Sequence, residues 1–355
     1  MLKPLTRRLV ERLLASPWMR EALWRHARDL FTAPRQSPAA APPAYAEAPA
    51  RYALGRRPLA REGAPPIFIS ARFRSGSTLL WNLFRHLPGH TAYYEPLNER
   101  GWFRADDGRG TDVTHLGVDD YAAEYRGLVE LESCFSELWG YRRLFMDEAS
   151  FDPAMARYLS TLIARAPARP VLQFNRVDFR LRWLRARFPE ARILHLYRCP
   201  RDQWVSTLRG DSEPGPTARL ADFGPHDRFY LLPWLADLRA VFPCLDLPGD
   251  WHPYAAHYLL WRLSWLYGRQ GADASIAYEA LVDDLPGSFA ALTEPLALGP
   301  VDTAPLAALV KGDRAPRWPR YADAAWFEAI ESECEAVLAP ALLPATGRPA
   351  GVALD

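Results

Sequence analysis

The chain has 355 residues, of which 49% are hydrophobic and 24% charged, as in a globular protein that buries a substantial core. Its formal net charge of +1 gives no overall field to attract nucleic acid or a membrane, so we expect no nucleic-acid partner and only local anion sites. The four cysteines, Cys134, Cys199, Cys244 and Cys334, lack the paired spacing of zinc ligands, which predicts free thiols in a reducing, cytoplasmic environment and no metal site.

Residues 1–32 are predicted to form two short amphipathic helices, because Leu2, Leu5 and Leu9 recur at helical spacing among basic residues. The basic excess would allow peripheral membrane contact through this segment. Amphipathic helices more often cover a core, so we favour docking on the protein's own body. Residues 33–65 are rich in proline and alanine, which predicts a linker without regular structure.

From residue 66 onward, short apolar runs alternate with helical patterns. The runs predicted to be strands are 67–70, 171–174, 193–197 and 274–278. Helical patterns follow the first, third and fourth of these runs. The alternation predicts an α/β domain over residues 66–355, with a mostly parallel central sheet flanked by helices. Ligands of such sheets bind beyond the carboxyl ends of the strands, which is where Arg74, Arg198 and Tyr278 lie.

The loop after the first predicted strand has the composition of an anion site. Small residues that lead into a helix direct backbone N–H groups at one point, and the helix dipole adds to them. Gly76 permits unusual backbone angles, and Arg74 supplies a fork of donors that fits phosphate or sulfate oxygens. The loop lacks the lysine and the second glycine of nucleoside-triphosphatase loops. It is therefore predicted to hold a phosphate or sulfate without metal.

The run from Arg74 to Leu80 resembles the 5′-phosphosulfate loop of sulfotransferases that use 3′-phosphoadenosine 5′-phosphosulfate (PAPS). An arginine at its first position is typical of the carbohydrate and tyrosyl-protein branches, and the motifs are closest to the carbohydrate branch. The resemblance implies a sulfotransferase fold like that of P-loop nucleotide kinases. It also implies that the donor PAPS is bound, without metal, by Phe73, Arg74, Ser75, Gly76, Ser77, Thr78 and Leu79.

Two later segments resemble further parts of the same family. Residues 192–202, together with Ser206, are similar to the motif in which a strand-end arginine and a helix serine bind the 3′-phosphate. The resemblance assigns these roles to Arg198 and Ser206, although Cys199 stands where the family often has aspartate. The segment that begins at Tyr278 resembles a family segment whose tyrosine reaches the adenine. The alternative for Tyr278 is a core tyrosine with a satisfied hydroxyl.

The segment from Tyr93 to Glu99 resembles the aromatic-Glu-Pro segment of carbohydrate sulfotransferases. An acceptor hydroxyl that attacks sulfur must lose its proton, and a carboxylate within hydrogen-bond reach accepts it. The resemblance therefore implies that Glu95 is the catalytic base. Glu99, His90 and His86 remain alternatives for this role.

Together these segments imply transfer of a sulfuryl group from PAPS to a hydroxyl acceptor, a glycan or glycolipid. Arg74 and the loop N–H groups would stabilise charge on the transferring group. Two other functions stay open. One is a phosphotransferase or kinase on a related fold, against which the missing lysine argues. The other is a catalytically silent nucleotide-binding protein whose N-terminal helices serve for docking.

Overall fold

The computed structural model describes residues 64–104, 115–208, 213–310 and 315–342. The helices predicted within residues 1–32 lie outside these ranges, as does the predicted linker apart from residues 64 and 65. Within the described ranges, no helix combines the length and the hydropathy that a membrane crossing requires.

A five-stranded parallel sheet lies at the centre of the fold. Its strands are β1 (Ile67–Ala71), β2 (His90–Tyr94), β3 (Arg169–Phe174), β4 (Arg192–Tyr197) and β5 (Ala274–Ala277). The strand order is β2-β3-β1-β4-β5, so β1 is central and its Ile69 lies opposite Gln173 of β3 and Leu194 of β4. All residues of β1 are buried, as expected of a parallel strand covered on both faces. The predicted α/β class with a parallel sheet is confirmed.

Strand β2 is the one strand of this sheet that the sequence patterns did not predict. It follows the Pro88-Gly89 turn and starts with the polar residues His90 and Thr91, which hides its apolar alternation. As an edge strand it pairs only with β3. Its end at Tyr94 positions Glu95 at the carboxyl edge of the sheet.

Helices cover both faces of the sheet. The α-helices are α1 (Ser77–Arg85), α2 (Pro153–Arg165), α3 (Leu181–Arg187), α4 (Pro200–Thr207), α5 (Leu231–Leu238), α6 (Pro253–Gly271), α7 (Tyr278–Asp283), α8 (Leu285–Thr293) and α9 (Ala324–Leu342). The short 3-10 helices are Trp102–Arg104, Ala123–Tyr125, Val129–Ser133, Glu137–Gly140, Asp178–Arg180, Leu220–Asp222, Gly224–His226, Pro243–Leu245, Pro305–Leu309 and Trp318–Arg320.

Alternate residues of β1 face different parts of the core, because side chains along a strand alternate between its two faces. Ile67 and Ile69 pack with apolar residues of α1 and α8, whereas Phe68 packs with those of α2 and α3. A third apolar cluster joins α4, α5, α6 and α9. Prolines stand at the first turn of α2, α4 and α6, where the missing N–H costs no helical hydrogen bond.

Candidate active site

The loop between β1 and α1 has an unusual backbone. Arg74 has a φ of 64° and Gly76 a φ of 89°, so the chain enters the left-handed region twice within three residues. Turns of this kind can gather N–H groups into an anion-binding concavity. Ser75 is fully buried, and its Oγ donates a hydrogen bond to the Arg72 carbonyl at 2.7 Å. Gly76 is the N-cap of α1 and brings no capping side chain, while the N–H groups of a first helical turn lack intrahelical acceptors.

The predicted adenine residue, Tyr278, lies directly on this loop. A β-carbon built on Gly76 would be 2.1 Å from Cδ2 of the Tyr278 ring. The ring also lies 4.8 Å from the guanidinium of Arg198, close enough for a cation–π contact. Tyr278 is therefore in contact with both predicted donor motifs, and it also packs against the apolar cluster that contains Ile67 and Ile69.

The two predicted donor motifs meet at the carboxyl ends of β1 and β4. Arg74 Nε donates to the Ser206 carbonyl at 3.0 Å, and Arg198 Nη1 donates to the Arg74 carbonyl at 3.3 Å. The Ser206 hydroxyl donates to the Gln203 carbonyl at 3.0 Å. Within the described part of the chain, Arg198 Nε is buried and has no hydrogen-bond partner. A buried donor of this kind needs an acceptor, and a bound anion would provide one.

The remaining loop residues differ in exposure. Ser77 is buried, whereas Phe73, Thr78 and Leu79 are partly exposed. Leu79, in the first turn of α1, packs against the core, so we expect it to contribute to donor binding through its backbone rather than its side chain.

Glu95 is buried, with 6% of its surface exposed, and has a φ of 39°. Its Oε1 accepts a hydrogen bond from Asn175 Nδ2 at 2.5 Å. Its Oε2 accepts from Asn98 Nδ2 at 2.6 Å and from Arg176 Nη1 at 2.8 Å. Hydrogen bonds to the charged form of a carboxylate favour that form. These three donors fix the orientation of the Glu95 carboxylate.

Glu99 shares the guanidinium of Arg176. Arg176 Nη2 donates to Glu99 Oε2 at 2.7 Å, and the Tyr230 hydroxyl donates to Glu99 Oε1 at 2.5 Å. Burial alone would raise the pKa of Glu99, but the charge of Arg176 and the hydrogen bond from Tyr230 outweigh it and lower that pKa below its usual value. A lowered pKa makes Glu99 a weaker proton acceptor.

The two histidines that remained as alternatives for the base lie elsewhere. His90 opens β2, which places its backbone roughly 16 Å along the chain direction from Glu95. Burial lowers its pKa, and its Nδ1 lies 3.0 Å from the Pro88 carbonyl. His86 caps the carboxyl end of α1, where its Nδ1 lies 2.8 Å from the Asn82 carbonyl. The geometry therefore favours Glu95 over both.

Two contacts join the donor loop to the Glu95 side. Thr78 Oγ1 lies 3.0 Å from the hydroxyl of Tyr94, the residue before Glu95. Burial and the charge of Glu95 raise the pKa of Tyr94 well above its usual value, so this hydroxyl keeps its proton. The guanidinium of Arg176 also lies 4.9 Å from the ring of Phe73. The predicted donor residues and the predicted base therefore form one continuous cluster.

The sequence patterns assigned no role in the site to several residues of this cluster. Asn175 and Arg176 directly follow β3, and their position at the carboxyl end of a buried strand indicated only that they could enter the cleft. Trp261, in α6, donates from Nε1 to the Arg198 carbonyl at 2.9 Å, and Tyr230 precedes α5. No local pattern marks Tyr230. Among the described residues, no group of three or more His, Cys, Asp or Glu side chains is placed to hold a metal ion.

A family model described as "Sulfotransferase family" matches residues 65–224 of the chain. The match includes both predicted donor motifs and Glu95, and it ends before Tyr278. It supports a sulfotransferase enzyme, in agreement with the resemblance of the motifs.

The chain is also similar to three solved structures at low identity. The "Sulfotransferase Domain from the Curacin Biosynthetic Pathway" has 15% identity and a TM-score of 0.39, covering 78% of this chain and 97% of that chain. The "Sulfotransferase Domain from the Synechococcus PCC 7002 Olefin Synthase" has 20% identity and a TM-score of 0.37, covering 81% of this chain and 91% of that chain. Sulfotransferase STF1 from Mycobacterium tuberculosis H37Rv has 14% identity and a TM-score of 0.36, with coverage of 77% of each chain. No curated protein matched the sequence.

Proposed function

We propose that the protein transfers a sulfuryl group from PAPS to a hydroxyl of a carbohydrate or glycoconjugate. The observation that supports this most is the contact between the two arginines of the donor motifs, Arg74 and Arg198, which follow β1 and β4. An anion site at one helix start would suit many ligands. Two arginines from different strands suit a nucleotide that is phosphorylated at both ends.

In this proposal the donor lies across the carboxyl ends of β1 and β4. The N–H groups at the start of α1, together with Arg74, hold the 5′-phosphosulfate. Arg198 and the Ser206 hydroxyl hold the 3′-phosphate, and the unpartnered Arg198 Nε is available for one of its oxygens. The ring of Tyr278 provides a face for the adenine.

The proposed reaction is an in-line displacement at sulfur. The acceptor hydroxyl oxygen forms the new bond to sulfur, while the bond from sulfur to the 5′-phosphate oxygen breaks and that oxygen keeps the electron pair. The hydroxyl proton moves to the Glu95 carboxylate. Arg74 and the N–H groups of the loop stabilise charge on the sulfuryl oxygens and on the departing 3′-phosphoadenosine 5′-phosphate. Transfers of this type depend mainly on positioning and charge stabilisation.

The proposal extends to the organisation of the whole chain. The sulfotransferase domain would comprise residues 66–355, with residues 1–32 as a helical extension and 33–65 as a linker. The extension would dock on the protein rather than on a membrane. The four cysteines are free thiols, which suits a reducing compartment, and we propose that the protein acts in the cytoplasm on a glycan or glycolipid.

Calorimetric titration with 3′-phosphoadenosine 5′-phosphate tests the donor site. The wild type should bind it more tightly than adenosine 5′-phosphate, which lacks the 3′-phosphate. Replacing Arg198 with alanine should weaken binding of the first nucleotide by about 10–150-fold, the value of a hydrogen bond to a charged group, and remove most of the discrimination. Arg182→Ala, which removes a half-exposed arginine paired with Glu148, is the matched control and should leave binding unchanged.

Transfer of labelled sulfuryl groups from PAPS to a panel of glycans, glycolipids and peptides tests the reaction. Activity that persists in a metal chelator would exclude the kinase alternative, since kinases need magnesium at the phosphates. Equal affinity of the wild type for both nucleotides, or an Arg198→Ala variant that binds like the control, would remove the basis of the proposed function.

A further inference from the structure

Arg176 connects more parts of the candidate site than any residue the motifs singled out. Its side chain is 2% exposed, and its two Nη atoms donate to different carboxylates, Glu95 at 2.8 Å and Glu99 at 2.7 Å. Its guanidinium also lies 4.9 Å from the ring of Phe73 and 5.7 Å from that of Tyr230. It therefore touches the proposed base, a second carboxylate and the proposed donor loop at once.

We infer that Arg176 is a positioning residue that fixes the orientation of the Glu95 carboxylate relative to the donor loop. Glu99, which accepts hydrogen bonds from Arg176 and Tyr230, holds the guanidinium in place. This inference rests on the proposed function, because it assigns a role within the same site. A planar guanidinium bound by two acceptors cannot turn about its own axis without losing one of them. The bond to Glu99 thus fixes the direction of the bond to Glu95.

The two oxygens of Glu95 are oriented by neighbouring residues at the end of β3. Asn175 donates to Oε1 and Arg176 to Oε2. Asn175 is itself oriented, because its Oδ1 accepts a hydrogen bond from Gln173 Nε2 at 2.8 Å. The carboxylate is consequently oriented by the two residues that follow β3, together with Asn98 of its own loop.

The backbone of Glu95 argues for more than structural pairing. A φ of 39° is unfavourable for a residue with a side chain, and such residues persist only where the surroundings enforce them. An ion pair that served stability alone would need neither this strain nor a second carboxylate on the same guanidinium. Orientation of a reacting carboxylate explains both, since a displacement of about 1 Å in such a group can cost about 100-fold in rate.

A double-mutant cycle tests whether Arg176 acts through Glu95. Arg176→Lys and Tyr230→Phe are each introduced into the wild type and into the Glu95→Gln variant. One readout is the single-turnover rate at which the labelled sulfuryl group passes from PAPS to water or to a sugar selected from the panel. The other is the dissociation constant of 3′-phosphoadenosine 5′-phosphate. Arg182→Lys serves as the control for an arginine-to-lysine change.

We expect Arg176→Lys to lower the transfer rate by about 100-fold while the nucleotide dissociation constant stays within a factor of about two. Tyr230→Phe removes the hydrogen bond from Tyr230 to the Glu99 carboxylate and, because it acts on Glu95 only through Glu99 and Arg176, should lower the rate less, by about 2–10-fold. In the Glu95→Gln background both changes should have little further effect, because residues that act as a unit are not additive. Tyr230→Phe keeps the test decisive if Arg176→Lys does not fold.

Several results would separate the inference from its premise. If the wild type neither binds the nucleotide nor releases sulfate, the proposed function itself is wrong. If the wild type is active but the effects of Arg176→Lys and Tyr230→Phe multiply fully with that of Glu95→Gln, neither residue acts through Glu95 and the inference is overturned. Loss of nucleotide affinity in parallel with rate would also overturn it, because that pattern indicates a general structural role.

Discussion

Replacing Gly76 with alanine probes the contact between the donor loop and Tyr278. The new β-carbon would lie 2.1 Å from Cδ2 and 2.4 Å from Cε2 of the Tyr278 ring, at a φ of 89°. The left-handed backbone costs a residue with a side chain about 1–2 kcal/mol. Moving the ring out of its packed position adds about 1–3 kcal/mol, as in other overpacked sites. We expect Gly76→Ala to lower the free energy of unfolding by about 2–5 kcal/mol.

Two controls separate the contributions in urea unfolding experiments. Gly89 also has a positive φ, 76°, but a β-carbon there meets nothing within 4 Å, so Gly89→Ala should show the backbone cost alone. In a Tyr278→Ala background the ring is gone, and Gly76→Ala should again cost only about 1–2 kcal/mol. Nucleotide titration provides the second readout, because a displaced ring loses its contact with Arg198 and donor binding should weaken.

The contact between the Gly76 loop and the Tyr278 ring can be contradicted by these unfolding measurements. If Gly76→Ala is no more destabilising than Gly89→Ala, or costs the same with and without the Tyr278 ring, the ring does not lie on the loop. The proposed adenine contact would then have no support from the geometry of this loop.

Two further predictions concern stability. Arg180 is fully buried and donates hydrogen bonds to the carbonyls of four residues. In urea unfolding, Arg180→Met should therefore lower the free energy of unfolding by about 2–6 kcal/mol. The control Arg182→Met, at an exposed neighbouring position, should change it by less than about 1 kcal/mol. Burial, together with nearby arginine charges, lowers the pKa of His195 to about 4 and that of His257 to about 3, from the usual 6.5. Below pH 6.5 the native state therefore binds fewer protons than the unfolded chain. The free energy of unfolding should then fall by up to about 1.4 kcal/mol per pH unit for each histidine. Unfolding at pH 7.5 and pH 5 should show this loss in the wild type and a smaller loss in His257→Gln; an equal loss in both would contradict it.

The central strands were predictable because they are buried on both faces and appear in the sequence as continuous apolar runs. The run at 67–70 became β1, and the run at 171–174 lies within β3. The edge strand β2 escaped prediction because its first two residues, His90 and Thr91, are polar and a turn precedes it. Tyr278 was predicted to end a strand, but it begins α7 instead, since β5 stops at Ala277.

The donor side of the site was more predictable than the acceptor side for a physical reason. A phosphate-binding loop is built from consecutive residues between a strand and a helix, so its pattern is local. The surroundings of Glu95 are not local, since Asn175 and Arg176 follow it by 80 and 81 positions and meet it only through the pairing of β2 with β3. Tyr230 is farther still, at 131 positions from Glu99. Sequence patterns could therefore indicate the Glu95 carboxylate but not the distant residues that donate hydrogen bonds to it.

Positive and negative side chains lie in different parts of the candidate site. On the proposed donor side, Arg74 and Arg198 add to the positive start of α1, and Arg198 Nη1 donates to the Arg74 carbonyl. On the proposed acceptor side, two carboxylates, those of Glu95 and Glu99, share the single guanidinium of Arg176. A chain with a net charge of only +1 thus separates positive and negative charge across a few residues. This polarity would hold an anionic sulfuryl donor on one side and draw the proton of an uncharged hydroxyl to the other, which is the arrangement that the proposed transfer requires.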